Sequence, residues 1–133
     1  MTVTNGYILN YAFENCRSLT TIMIGEGVTG VQRGAFSGCT GLQYTIYGDL
    51  RYLGNAENPH LVLIGPAVSA ITSCVVHHDT KLICESAFYG CSSLGTISFD
   101  GTQDEWNAIV KNPNWNSKTG EYTVVCTDGT IPK

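Results

Sequence analysis

Ala35-Phe36-Ser37-Gly38-Cys39-Thr40-Gly41-Leu42 decides how this chain folds, because the pattern occurs three times. Ala12-Phe13-Glu14-Asn15-Cys16-Arg17-Ser18-Leu19 precedes it, and Ala87-Phe88-Tyr89-Gly90-Cys91-Ser92-Ser93-Leu94 follows it. All three read A-F-x-x-C-x-x-L. A β-branched aliphatic residue (Ile8, Val31 or Ile83) stands four residues before each alanine. Five apolar positions matched in register, three times over, make a structural repeat.

With Ile71 in the leucine slot of a less regular copy, the slots fall at Leu19, Leu42, Ile71 and Leu94, in steps of 23, 29 and 23 residues. A period of about 20–29 residues is that of leucine-rich repeats. A unit this small cannot bury its own apolar face, so neighbouring units must stack into one continuous core. After each slot comes a short alternating run: Ile22-Met23-Ile24, Cys74-Val75-Val76 and Ile97-Ser98-Phe99. Period-two alternation reads as a strand with one buried face. Stacked one per repeat, such strands make a parallel sheet. Gly25-Glu26-Gly27 and His77-His78-Asp79 are expected as turns. Val28 and Val31, or Leu82 and Ile83, then bring the chain back to the core. The A-F-x-x-C segment closes each coil, Ala allowing close approach while Phe, Phe36 included, fills the interior.

The second repeat breaks its own pattern. Thr45 stands where the template places an isoleucine, and the repeat runs six residues long. Its extra material, Tyr52-Leu53-Gly54 through Leu61-Val62-Leu63-Ile64, is two apolar runs around a Gly/Asn/Pro-rich centre, which reads as a hairpin with a longer loop. The last third leaves the repeat altogether. Thr102-Gln103-Asp104-Glu105 is a capping box, followed by the helical stripe Trp106, Ile109 and Val110. Pro113 ends it, Tyr122 to Thr127 alternates as a strand, and Asp128-Gly129 turns. Residues 100–133 are therefore expected as a C-terminal cap over the last rung, with Trp106 and Trp115 in its core, and residues 1–99 as repeats carrying a hairpin-like insert at about 44–66, in one compact domain.

Composition narrows the function. At 133 residues the chain is one domain with room for a core. Only 14% of residues are charged, against about 25% in ordinary domains, which suits short strands and turns better than surface helices. The net charge is −4 and the seven basic residues are scattered, so neither nucleic acid nor an anionic membrane is an expected partner. Asn58 to His78 carries no Lys, Arg, Asp or Glu, but Pro59, Gly65 and Pro66 interrupt it, and membrane insertion is not expected. No basic stretch followed by an apolar run opens the chain, so no signal peptide is read in it. The six cysteines form no C-x-x-C pair, and the three in the repeat slot (Cys16, Cys39, Cys91) read as small core residues with free thiols.

No catalytic constellation emerges. Cys74 lies three residues before His77 without a motif that orients the pair. The eleven carboxylates are dispersed, and Asp100-Gly101 and Asp128-Gly129 lack the dense oxygen run of a calcium loop. His77-His78-Asp79 with His60 invites a metal reading. Adjacent strand residues point to opposite faces, however, so His77 and His78 are not expected to share an ion, and no metal or cofactor is expected. Tyr44, Tyr47 and Tyr52 cluster in the irregular repeat. Tyrosine brings rigid apolar area with a polar handle to interfaces, which makes these three the candidate interaction surface.

The A-F-x-x-C-x-x-L-x-x-I-x-I unit resembles the BspA-type, or Treponema pallidum-type, leucine-rich repeats of bacterial surface proteins. The Tyr52-Leu53-Gly54…Asn58-Pro59…Leu61-Val62-Leu63 insert and the ending Gly101-Thr102-x-x-x-Trp106-x-x-Ile109 with Cys126-Thr127-Asp128-Gly129 are similar to segments of such proteins. The resemblance implies a right-handed leucine-rich-repeat solenoid. It would be β-rich, with a short-stranded parallel sheet, short irregular or helical returns and a C-terminal helix-plus-strand cap. It implies a non-enzymatic protein-interaction or adhesion module, on the cell surface or secreted. The partner would be a host or bacterial surface protein or a matrix component. The rival expectation is a purely structural spacer or cap with no ligand of its own.

Overall fold

A computed structural model describes all residues from Met1 to Lys133. The chain is a β-solenoid of about five turns with very little helix. Eleven strands form three sheets. β1 (Thr2–Ile8) and β2 (Met23–Val31) pair in parallel as a two-stranded sheet. β6 (Ser73–Val76), β8 (Thr96–Phe99) and β10 (Thr123–Cys126) are parallel neighbours, and β11 (Gly129–Pro132) closes that sheet antiparallel to β10. The third sheet runs β3 (Thr45–Tyr47), β4 (Leu50–Leu53), β5 (Val62–Pro66), β7 (Leu82–Ile83) and β9 (Val110–Lys111).

The repeat pattern translates directly into burial. Ile22, Ile24, Val31, Ala35, Leu42, Ile71, Ile83, Phe88, Leu94 and Ile97 all lie in one core. The A-F-x-x-C segments are turns stacked coil on coil by backbone hydrogen bonds: Phe13 N–H donates to the Ala35 carbonyl at 3.0 Å and Asn15 N–H to Ser37 at 2.7 Å. Phe13 and Phe36 stack at 5.5 Å between ring centroids, nearly parallel. Phe36 is nonetheless only half-buried, whereas Phe88 is sealed. The expectation that Phe36 fills the interior is corrected: at the first two coils the ring stack lies at the wall of a cleft described below. All six cysteines are free. Among the repeat-slot cysteines Cys39 is buried, while Cys16 and Cys91 are half-buried.

Three local expectations differ from the structure. Gly25-Glu26-Gly27 is not a turn but lies inside β2, which bends with β1 around the corner of the coil through two register shifts. Gly27 passes so close to β1 that a Cβ there would sit 2.6 Å from the Thr4 carbonyl oxygen. The helix α1 (Gln103–Ala108) has the capping box, Thr102 and Glu105 each serving the other's backbone, but stops before Val110. Val110 N–H donates to Lys81 O at 3.0 Å, so the parallel ladder of β7 captures the chain and leaves the Val110 side chain exposed. Nor does the last third leave the solenoid. β9 extends one sheet and β10 the other, and Phe88 N–H donates to Trp115 O at 2.8 Å. Trp115 stands in register with Ala87, because Ile83 pairs with Lys111, and its ring meets Phe88, Trp106 and Tyr122 edge-on, so a tryptophan at the alanine place supplies the aromatic packing of a coil whose sequence has drifted.

The broken repeat is where the architecture changes. Tyr47 and Leu50 pair across a two-residue turn in which Gly48 and Asp49 both have positive φ, 57° and 67°, the geometry of a type I′ hairpin. β4 then pairs antiparallel with β5, and β5 parallel with β7. A three-stranded antiparallel meander is thus spliced into the solenoid. Its turn docks on β6, Val75 N–H donating to Gly48 O at 3.1 Å.

Candidate functional site

The meander presents two clusters of polar and aromatic side chains. In the first, alternation along β4 turns Tyr52 inward, where it is completely buried. Its hydroxyl accepts the His77 N–H at 3.2 Å, and burial pushes the phenol up to about 12. Tyr47 stands edge-on to His60 and His77, with ring centroids 5.4 and 4.8 Å away, and its hydroxyl donates to Asp100. That hydrogen bond raises the Tyr47 phenol above its usual range. The His60 and His77 rings are stacked at 3.9 Å and 5°, and His77 and His78 at 4.4 Å and 25°. All three histidines of the chain therefore meet in one place. Burial, and after it the neighbouring His77, lowers His60 below the ordinary histidine range.

The loop between β4 and β5 fixes this cluster through its asparagines. Asn55 Oδ1 accepts the N–H groups of Glu57 and Asn58 at 3.0 and 2.9 Å, an Asx-type turn. Asn58, itself buried, accepts the His60 N–H at 3.0 Å and donates to the Asp79 carbonyl at 2.8 Å. The His77–Asp79 turn is thus held at one end by Tyr52 and at the other by Asn58.

The second cluster is a cleft of about 560 Å³ between the meander and the first two coils, walled by Tyr11, Arg33, Phe36, Tyr44, Arg51 and Glu85. Arg51 lies on the face of β4 opposite Tyr52, its guanidinium 5.0 Å from the Tyr44 ring centroid. Its Nε is buried without a hydrogen-bond partner. Arg33 covers Tyr89 in the same way at 4.5 Å. The ion pairs of the chain all involve Asp79 and its histidines, so both guanidinium groups lack a carboxylate. Burial raises the Tyr44 phenol, and the Arg51 charge pulls it in the opposite direction.

The three tyrosines singled out in the sequence therefore do not form one surface. Tyr44 lines the cleft, Tyr47 belongs to the histidine cluster, and Tyr52 is interior. The premise that adjacent strand geometry separates His77 from His78 is also corrected, because both follow β6 in a turn and their rings stack. Arg33, Arg51 and Glu85 carried no signal in the sequence. Their meeting depends on which coil the insert folds against.

The profile of the BspA type leucine rich repeat region matches residues 2–56 and 67–110, in six copies. The chain belongs to this family. No curated protein and no solved structure matches it. The gap at 57–66 between the two matched stretches covers most of the β4–β5 loop and all of β5, so the unmatched segment of this BspA-type chain is the one that brings the meander into the sheet. No helix in it is long and apolar enough to cross a membrane.

Proposed function

We propose that this BspA-type solenoid is a non-enzymatic protein-interaction module of a bacterial cell-surface or secreted protein, and that it adheres to a host or bacterial surface protein or a matrix component. The observation that carries the reading is the cleft beside the meander, in which two carboxylate-free arginines stand among tyrosines. Arg and Tyr are the residues that dominate binding hot spots. An Arg fork favours a partner that offers a carboxylate or another bidentate anion. Leucine-rich repeats of this family are typically non-enzymatic and surface-located, which supports the same reading. The full chain applied to an array of matrix proteins, bacterial surface proteins and acidic glycans is expected to bind a member saturably, with binding lost in Arg51→Ala. An array with no saturable member sinks the adhesion reading.

A spacer role is the second reading, and the burial of Tyr52 together with the engagement of Tyr47 by Asp100 favours it. On that reading Arg51→Ala changes stability alone, and no ligand protects the cleft from hydrogen exchange.

A further inference from the structure

We propose that the His77-His78-Asp79 turn is a binding site for a divalent transition-metal ion of the zinc or nickel class. One ligand atom from each of the three residues lies within 4.8 Å of the others. His78 Nε2 is 3.4 Å from Asp79 Oδ1, and His77 Nδ1 is 3.9 Å from Asp79 Oδ2. Ligands at about 2.0–2.2 Å from a tetrahedral ion stand about 3.4 Å apart from one another. One edge of the polyhedron is thus already formed; the rings of His77 and His78 are stacked with their planes 25° apart, so the exposed His78 ring must rotate off the stack for both nitrogens to point at one ion. Two imidazoles and one carboxylate suit zinc, nickel or copper rather than calcium or magnesium, which want oxygen.

The turn is built to hold this arrangement. Its first N–H is taken by the buried Tyr52 hydroxyl, its Asp79 carbonyl by the buried Asn58, and Thr80 N–H closes it on His77 O at 3.1 Å. The His60 ring stacked on His77, with Tyr47 at its edge, sets the plane of the imidazole. His78 and Asp79 are about half exposed, so an ion can enter and keeps an open position towards solvent. One local interaction competes: His77 Nδ1 accepts the Asp79 N–H at 3.0 Å, and an ion at that nitrogen displaces it. The site therefore binds more weakly than a closed structural zinc centre, and the fold does not depend on the ion.

Titration of the full chain with Zn²⁺ alone, followed by calorimetry, tests the site, with Co²⁺ absorption reporting the ligand types. One ion per chain is expected, with no thiolate charge-transfer band in the Co²⁺ spectrum. His78→Gln and Asp79→Asn should each weaken binding by about tenfold or more with the circular dichroism unchanged. His77→Gln should do the same, and because its side chain is partly buried the exposed His78→Gln decides if it misfolds. A C16S/C91S variant should bind like the parent. No saturation below about 1 mM, full affinity in His78→Gln, or loss of binding in C16S/C91S overturns the proposal.

Discussion

Asn112 in the last coil reaches back 81 residues to Val31 in the second: its Oδ1 accepts the Val31 N–H at 2.9 Å and its Nδ2 donates to Thr29 O at 3.3 Å. The side chain acts as one more rung of backbone where β2 has no strand beside it. Asn112 is buried, so Asn112→Ala leaves the Val31 N–H unpaired away from water and takes from the part-buried Thr29 carbonyl its partner. The expected loss is about 2–4 kcal/mol, read by urea unfolding. Asn112→Asp keeps the acceptor for Val31 and loses the donor to Thr29, and is also expected to destabilise.

Phe88 and Phe36 occupy the same place in the repeat and differ in burial. Phe88→Ala is expected to cost about 3–5 kcal/mol, the usual range for a sealed phenylalanine. Phe36→Ala, at the cleft wall and stacked only on Phe13, is expected to cost about 1–2 kcal/mol. Equal losses at the two positions would mean that the cleft is closed in solution.

Gly48 opens the type I′ turn with φ 57°, and a Cβ there would collide with the Val75 carbonyl. Gly48→Ala is therefore expected to destabilise by at least about 2 kcal/mol and to loosen the meander before the coils. Hydrogen exchange at Ile46 and Arg51 should accelerate more than at Ile97.

The buried thiols set an alkaline limit. Burial pushes Cys74 and Cys84 from 9.0 up to about 12, with Cys91 and Asp49 adding to the first and Glu85 to the second. Between those values the unfolded chain has lost protons that the folded chain keeps. The stabilising contribution is thus fully present below pH 9.0 and falls as pH rises towards 12, by up to about 1.4 kcal/mol per pH unit for each thiol. Urea midpoints across this window should fall less steeply in a C74A/C84A variant than in the parent. At neutral pH a thiol reagent should reach Cys16 and Cys91 quickly and the other four only on unfolding, and a reductant should leave Tm unchanged, since all six cysteines are free.

The scaffold was legible because its contacts repeat at a step of 23 residues that only the insert lengthens, to 29. Ile8, Val31 and Ile83 or Leu42, Ile71 and Leu94 can be aligned without knowing the fold. The capping box at Thr102 and Glu105 was legible for the complementary reason, since four adjacent residues contain the whole interaction. What escaped was the last coil, where Trp115 stands in the alanine place and Asn116 and Thr119 in those of phenylalanine and cysteine, so that hydrogen bonding and ring packing survive while the letters do not. The histidine cluster escaped because His60 comes from the insert, and only the docking of the meander stacks it on the turn that follows β6. The cleft escaped because Arg33 belongs to the second coil and Arg51 to the meander, and only the docking of the meander brings them to one cleft.

Splicing antiparallel strands into a parallel stack also has a mechanical consequence. Pulled along its axis, a solenoid with uninterrupted ladders shares tension among many backbone hydrogen bonds. Here β1 and β2 form a sheet of their own, joined to the meander's side by the single bridge from Met23 to Gly54, the Ile24 and Glu85 N–H bonds to Gly54 and Val31 and the side chains of Asn55 and Asn112. Few hydrogen bonds cross that seam, so the shared apolar core carries most of the load there, and the cleft that opens between the same two parts lies along it.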